Sequence, residues 1–225
     1  MKKSGFLLLA ARMMFVAIVV VLLSSCIKGD EPDVRDVYMD IVSCHFQPDS
    51  SLYFEQILPY DKGSVMLHPA EAITANVYEE QRVMMQFYVN SLSEDKTSAV
   101  IEPIAFGSVR HDTIMEVHPD TIAAYPNDEI KFNGYERAGN YLDLSLELMY
   151  YNKPHRLDLF YAPEQTSPDT LNVILCHDDN GDLAYDWTTA YASFYVPNLK
   201  TYKAVRIYAN MMANPLGYVV AKMQE

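Results

Sequence analysis

The densest group of side chains able to do chemistry is His177-Asp178-Asp179-Asn180-Gly181-Asp182, an imidazole, three carboxylates and an amide in one short run. Oxygen-rich loops of this kind bind calcium. The order here does not fit the EF-hand loop, which alternates its ligands before a glycine and closes on a distant glutamate. Asn-Gly between aspartates is also the strongest short signal for a hairpin turn. The expectation is therefore a turn, with no metal ligand assigned.

The six histidines, His45, His68, His111, His118, His155 and His177, form no His-x-x-x-His or His-Glu-x-x-His pair, so a zinc protease site has no support. No Gly-x-Ser-x-Gly elbow, phosphate-cradling glycine loop or dinucleotide fingerprint occurs. Paired carboxylates are too common in this chain to discriminate anything. No catalytic residue and no cofactor is assigned, and a non-enzymatic protein is expected. The remaining lead is aromatic. Tyr185, Trp187, Tyr191 and Tyr195 fall around one loop and strand. Tyr and Trp offer a flat apolar face with a polar handle, suited to sugar or protein contacts. The competing explanation is that tyrosine is simply a favoured strand residue.

The elements that must position these groups are strands. Leu142, Leu144, Leu146 and Leu148 alternate with Asp143, Ser145 and Glu147. Val83, Met85, Phe87 and Val89 alternate with Arg82, Met84, Gln86 and Tyr88, and Val37, Met39 and Ile41 with Tyr38, Asp40 and Val42. Period-2 alternation marks half-buried strands. Further strands are expected at 65–67, 98–106, 113–117, 155–161, 170–176, 191–196, 203–209 and 217–223. Turn residues at Asp61-Lys62-Gly63, Asn133-Gly134, Asn152-Lys153-Pro154 and the 178–181 run punctuate them, as in a sandwich or barrel. Pro69–Asn76 has room for a turn or two of helix. The stretch Pro119–Asp128, with Pro119, Pro126 and Asn127, is the expected domain boundary.

The first 26 residues carry an address. Lys2 and Lys3 precede an apolar run of 11 residues, Met13–Leu23, and Leu23-Ser24-Ser25 brings small residues to Cys26. A basic start, a short apolar segment and a small-residue cleavage site define an export signal over residues 1–25. A spanning helix would need about 20 apolar residues. Leu-Ser-Ser-Cys resembles the bacterial lipobox, which implies lipid on Cys26. Residues 26–36 then read as an acidic tether. With Lys2, Lys3 and Arg12 removed, 14 basic residues stand against 30 acidic ones, a charge of −16. No basic cluster is left to neutralise phosphates, so nucleic acid is excluded as a partner. Cys44 and Cys176 are expected as buried free thiols, with one bridge between them as the alternative.

Several segments together resemble the NigD-like lipoproteins of Bacteroidota: Gln81-Arg82-Val83, Asn140-Tyr141-Leu142-Asp143-Leu144, His155, Leu175-Cys176-His177-Asp178 running into Asn180-Gly181-Asp182, and Ala192-Ser193-Phe194-Tyr195-Val196. The resemblance implies an all-β chain, an OB-like domain over 37–120 followed by an antiparallel β-sandwich over 129–225. It also implies an outer-membrane lipoprotein held through Cys26, while the aromatic residues above make an envelope protein or glycan the expected partner. Lys28 followed by Asp30, Glu31 and Asp33 resembles the signal for display on the outer face, the periplasmic face being the alternative. The family supplies no catalytic residue. Its name, from a bacteriocin-associated operon, implies an immunity or protective role as the second function. This chain departs from the pattern at Glu80, where glycine is expected, and at Cys176, where arginine is expected before His177.

Overall fold

The computed structural model describes residues 35–214 and 216–223. The export signal 1–25, Cys26 and the tether up to residue 34 lie outside the described residues. From Val37 onward the chain forms one compact unit.

The first five strands are β1 (Val37–Phe46), β2 (Leu52–Ile57), β3 (Ser64–Pro69), β4 (Arg82–Leu92) and β5 (Ser98–Ser108). They close into a barrel in the order β1-β2-β3-β5-β4, with β1 pairing back onto β4. One parallel pairing, β3 on β5, sits in an otherwise antiparallel ring, the OB-like arrangement expected. Val42, Cys44, Phe54, Leu67, Val83, Met85, Phe87 and Ile101 fill the interior. Two register shifts between β4 and β5 supply the local bend that closure needs. No residue of the Pro69–Asn76 segment is helical, and Pro69 ends β3. It runs irregular and extended, and Ile73, Ala75 and Val77 turn alternately onto the barrel core, a period of two that no helix could present.

Nine strands build the sandwich: β6 (Arg110–Thr113), β7 (Met115–Glu116), β8 (Lys131–Ala138), β9 (Tyr141–Tyr150), β10 (Arg156–Tyr161), β11 (Thr170–Asp178), β12 (Asp186–Tyr195), β13 (Ala204–Tyr208) and β14 (Tyr218–Lys222). One sheet runs β14-β13-β11-β10-β7 and the other β6-β12-β9-β8. Most pairings are antiparallel, but β7 on β10, β11 on β13 and β6 on β12 are parallel. Leu142, Leu144, Leu146 and Leu148 point inward as their alternation requires, against Phe194, Val173, Leu175 and Ile207.

The change from barrel to sandwich falls at Ser108, because β6 and β7 already belong to sandwich sheets. The expected boundary segment Pro119–Asp128 lies inside the sandwich half. Its 3-10 turn, Pro119–Ala124, places Ile122 near Phe160 and Cys176, and Tyr125 lies 4.3 Å from the Phe160 ring. The segment is largely open to solvent but is pinned to the sandwich at Ile122 and Tyr125, so it is not a free linker. Asn133-Gly134 is likewise no turn: it sits within β8 where the register against β9 shifts, a bulge.

Two arginines tie barrel to sandwich. Arg82, at the start of β4 and 0% exposed, reaches Asp143 on β9 (2.6 Å), Ser43 on β1 and Ser193 on β12 (both 3.2 Å). Its guanidinium lies 4.6 Å from the Tyr141 ring centre. Arg137 on β8 forks onto both oxygens of Asp61, in the β2–β3 turn, at 3.0 and 2.9 Å.

Candidate functional site

One end of the sandwich gathers the chemistry that the sequence scatters. Strands β10 and β11 are neighbours, with Leu157 opposite His177, so His155 just before β10 comes to lie beside His177. His155 Nδ1 is 3.0 Å from His177 Nε2, and its Nε2 is 3.3 Å from Asp182 Oδ2. Asp182 also accepts backbone N–H groups from Tyr151 (2.7 Å) and Asn152 (3.1 Å), fastening the β9–β10 loop to the loop after β11. Burial alone would raise its carboxyl, but the N–H groups of Tyr151, Lys153, Asn152 and Leu183 hold it down at about 2. Burial first, and then His155, lower the His177 imidazole below its ordinary value, Asp128 and Asp179 opposing.

These distances define a proton arrangement. His155 donates from Nε2 to the Asp182 carboxylate, so its Nδ1 accepts from His177 Nε2–H. Both nitrogens of His155 are thus engaged inside the fold, although His155 lines a cleft of about 330 Å³ with Ser108, Arg110, Tyr150, Thr188 and Tyr191.

The 178–182 run forms the expected turn but not a hairpin. Asp182 N–H donates to the Asp179 carbonyl (2.9 Å), with Asn180 and Gly181 both left-handed at φ of 54° and 62°. The strands on either side lie in different sheets, so the turn carries the chain from one layer to the other. Carboxylate oxygens of Asp128, Asp178 and Asp179 lie within 4.8 Å of one another, a set that could hold a hard cation. Asp178 and Asp179 each accept a local backbone N–H, from Asn180 and Gly181, which is turn chemistry, whereas Asp128 accepts the Asp179 N–H from 51 positions away and ties the segment before β8 to this turn.

The four aromatic candidates do not form one patch. Trp187, Tyr191 and Tyr195 share the outer face of β12 by their spacing. Lys131 Nζ lies 3.8 Å from the Trp187 ring centre, and Tyr195 packs edge-on to Tyr141 at 5.5 Å. Tyr191 borders both the end cleft and a second groove beside the barrel. Tyr185 is 74% exposed and pairs with Tyr151 at 5.6 Å, with Leu183, 68% exposed, in the same loop. Tyr150 and Tyr151 were not singled out from sequence. Their signal is a tyrosine pair at a strand end, facing the loop that holds Tyr185.

Cys26 lies outside the described residues. Cys44 and Cys176 are free and buried, one in the barrel core and one against Val117 and Phe160, so no bridge joins them.

Comparison with known proteins places the sandwich. Residues 113–214 match the NigD-like C-terminal beta sandwich domain. Among solved structures, the chain is similar to a protein of unknown function from Bacteroides vulgatus ATCC 8482 (TM-score 0.67, 16% identity, 84% of this chain and 91% of that one covered). It is also similar to a NigD-like immunity protein from Bacteroides caccae ATCC 43185 (0.58, 20%, 83% and 92%). A third, from Bacteroides fragilis NCTC 9343 and named as a candidate lipoprotein, aligns with TM-score 0.59 at 11% identity over 82% and 95% of the two chains. At these identities the likeness is one of fold. No curated protein matches in sequence.

Proposed function

Starting from a NigD-like sandwich whose His155, His177 and Asp182 are bonded to one another within the fold, we propose a lipid-anchored, non-enzymatic binding module of the cell envelope. It is held to the outer membrane through Cys26 and meets its ligand with the loop end of the sandwich. The observation that carries the reading is the exposed group of Tyr150, Tyr151, Leu183 and Tyr185 beside the end cleft. Exposed apolar clusters rimmed by polar groups mark interaction sites. Aromatic faces beside the hydroxyls of Ser108, Thr188 and Tyr191 suit an envelope glycan, and a protein loop is the other occupant of the same chemistry.

The binding test uses envelope polysaccharide preparations in a pull-down with the protein and with Tyr151→Ala/Tyr185→Ala. Retention by the parent and loss in the variant, at unchanged melting temperature, supports the reading. Equal retention, or none by either protein, rejects it. The anchoring test is Cys26→Ser followed by cell fractionation: release to the soluble fraction with a changed mature mass is expected. Surface display is tested with a non-permeant protease on intact cells, where full protection would mean a periplasmic face.

An immunity or protective role is the second reading, favoured by the name of the B. caccae neighbour. A deletion strain that survives spent medium from a broad panel of neighbouring strains as well as its parent does would eliminate it.

A further inference from the structure

The barrel turns an apolar stripe outward where it meets the sandwich. In β1 the even residues Val42 and Cys44 point into the barrel core, so Val37, Met39 and Ile41 point out. The pairing of β1 with β4 sets Ile41 opposite Met84. Val37 and Met39 are each 54% exposed, while Met39, Ile41 and Met84 form the barrel wall of a groove of about 280 Å³ whose other wall is sandwich. Tyr135 and Tyr191 lie on the sandwich side.

Three carboxylates share this groove: Asp40, Glu136 and Asp143. Asp40 accepts from Ile41 N–H and from Gln56 Nε2. Asp143 is 7% exposed, accepts from Arg82 Nη2 at Oδ2, and has Ser193 beside its carboxylate as well. The Glu136 side chain makes no hydrogen bond among the described residues and is open to solvent on one side only. Burial first, then Asp40 and Asp143, push its carboxyl up, Arg82 pulling the other way. One cation, Arg82, is fully enclosed and already divided between Asp143, Ser43 and Ser193. The groove is left with surplus negative charge next to methionine and tyrosine.

A metal ion does not fit this spread. Among the described residues, the acids whose oxygens converge as one ion requires are Asp128, Asp178 and Asp179, at the far loops. Separated carboxylates beside an apolar wall fit a long side chain with a charged head instead, the stem lying on apolar surface and the head reaching polar groups. Methionine-lined surfaces adapt to such stems.

We propose that this groove receives a lysine or arginine side chain of a partner polypeptide, its head among Asp40, Glu136 and Asp143 and its stem along Met39, Ile41 and Met84. The proposal rests on the reading of the chain as a binding module, but uses a different face from the tyrosine rim. The two fail separately: rim variants leave groove binding intact, and groove variants leave polysaccharide retention intact.

The test is methionine-methyl NMR on the protein from residue 26 onward with Cys26→Ser. The probe is the peptide acetyl-Lys-Leu-Lys-amide, and the control is its norleucine analogue, which keeps the stem and lacks the charge. The lysine peptide is expected to shift the Met39 and Met84 methyls saturably and to weaken several-fold between about 0.02 and 0.5 M salt, as screening requires. Asp40→Asn/Glu136→Gln should abolish the shifts. Glu136→Gln alone, at a solvent-facing position where folding is not at stake, should weaken binding about fivefold. Equal shifts with the norleucine peptide, shifts that survive Glu136→Gln unchanged, or no shift at Met39 and Met84 would each overturn the proposal.

Discussion

Arg82 Nη2 and Asp143 Oδ2 stand 2.6 Å apart across the seam between barrel and sandwich, both withdrawn from water. The pair joins residues on β4 and β9, and Ser43 and Ser193 add a strand from each half. Burial pushes the Asp143 carboxyl up and the Arg82 charge opposes it. Each partner is therefore costly without the other.

Arg82→Met should cost about 3–5 kcal/mol, since it strands a buried carboxylate. Arg82→Met/Asp143→Leu should recover much of that loss, because well-packed apolar residues replace buried ion pairs at little cost. Urea unfolding followed at Trp187 and by far-UV circular dichroism measures both. A single-variant loss under about 1 kcal/mol would place the pair among weak surface bridges and refute its role as the seam's anchor.

The seam also explains which part of the sequence was legible. The segments that carry the family resemblance, around Arg82, Tyr141–Asp143 and Ser193, converge on this one cluster, and those at His155 and His177–Asp182 converge on the other. Alternation revealed the leucines of β9, because a half-buried strand writes its burial into every second residue. It did not reveal β2 or β8, where Leu52–Ile57 and Lys131–Ala138 mix polar and aromatic residues on both faces. The Arg82 cluster was equally hidden: a buried arginine looks like a surface one until the strand that covers it is known. Tyr151 and Tyr185 are 34 positions apart, and only the sheet brings them together.

Glu80 marks a local conflict between residue and backbone. It sits at φ 63°, a left-handed conformation, where the family pattern expects glycine. Its N–H donates to the Cys44 carbonyl at 2.8 Å, so the turn is fixed by the β1 strand beside it. Glu80→Gly should stabilise by about 0.5–1 kcal/mol, the relief of a left-handed Cβ less the added chain entropy of glycine. Glu80→Ala keeps the Cβ and should give no such gain. Thermal melts of the two variants decide it, and equal melting temperatures would count against the strain.

Cys44 and Cys176 should be chemically silent in the native protein. Burial pushes both thiols up to about 11, so little thiolate exists at neutral pH. With Cys26 lipidated or replaced, a thiol reagent at about pH 8 should label neither residue until denaturant is added, after which both react. Fast labelling of either one without denaturant would show an opening of its core that the packing does not allow.

Acid should loosen the loop end of the sandwich in two stages. His177 has a lowered folded value, so the unfolded chain takes up its proton first. Stability from this group is whole above about pH 6.5, the unfolded value, and falls as pH drops below it. His111, lowered by burial and by Arg82, acts in the same direction. Asp182, held at about 2, contributes stability that persists above the ordinary carboxylate range and is lost as pH falls from there toward 2. Asp61, lowered by Arg137, joins this second stage. Melting temperature measured from neutral pH downward should therefore decline first below about 6.5 and again below about 4. His177→Gln should shrink the first decline and spare the second, whereas Asp182→Asn should do the reverse. Hydrogen exchange at the Tyr151 and Asn152 amides, which donate to Asp182, should accelerate in the second stage. A His177→Gln variant with the parent's full decline between 6.5 and 5 would show that His177 does not carry the first stage.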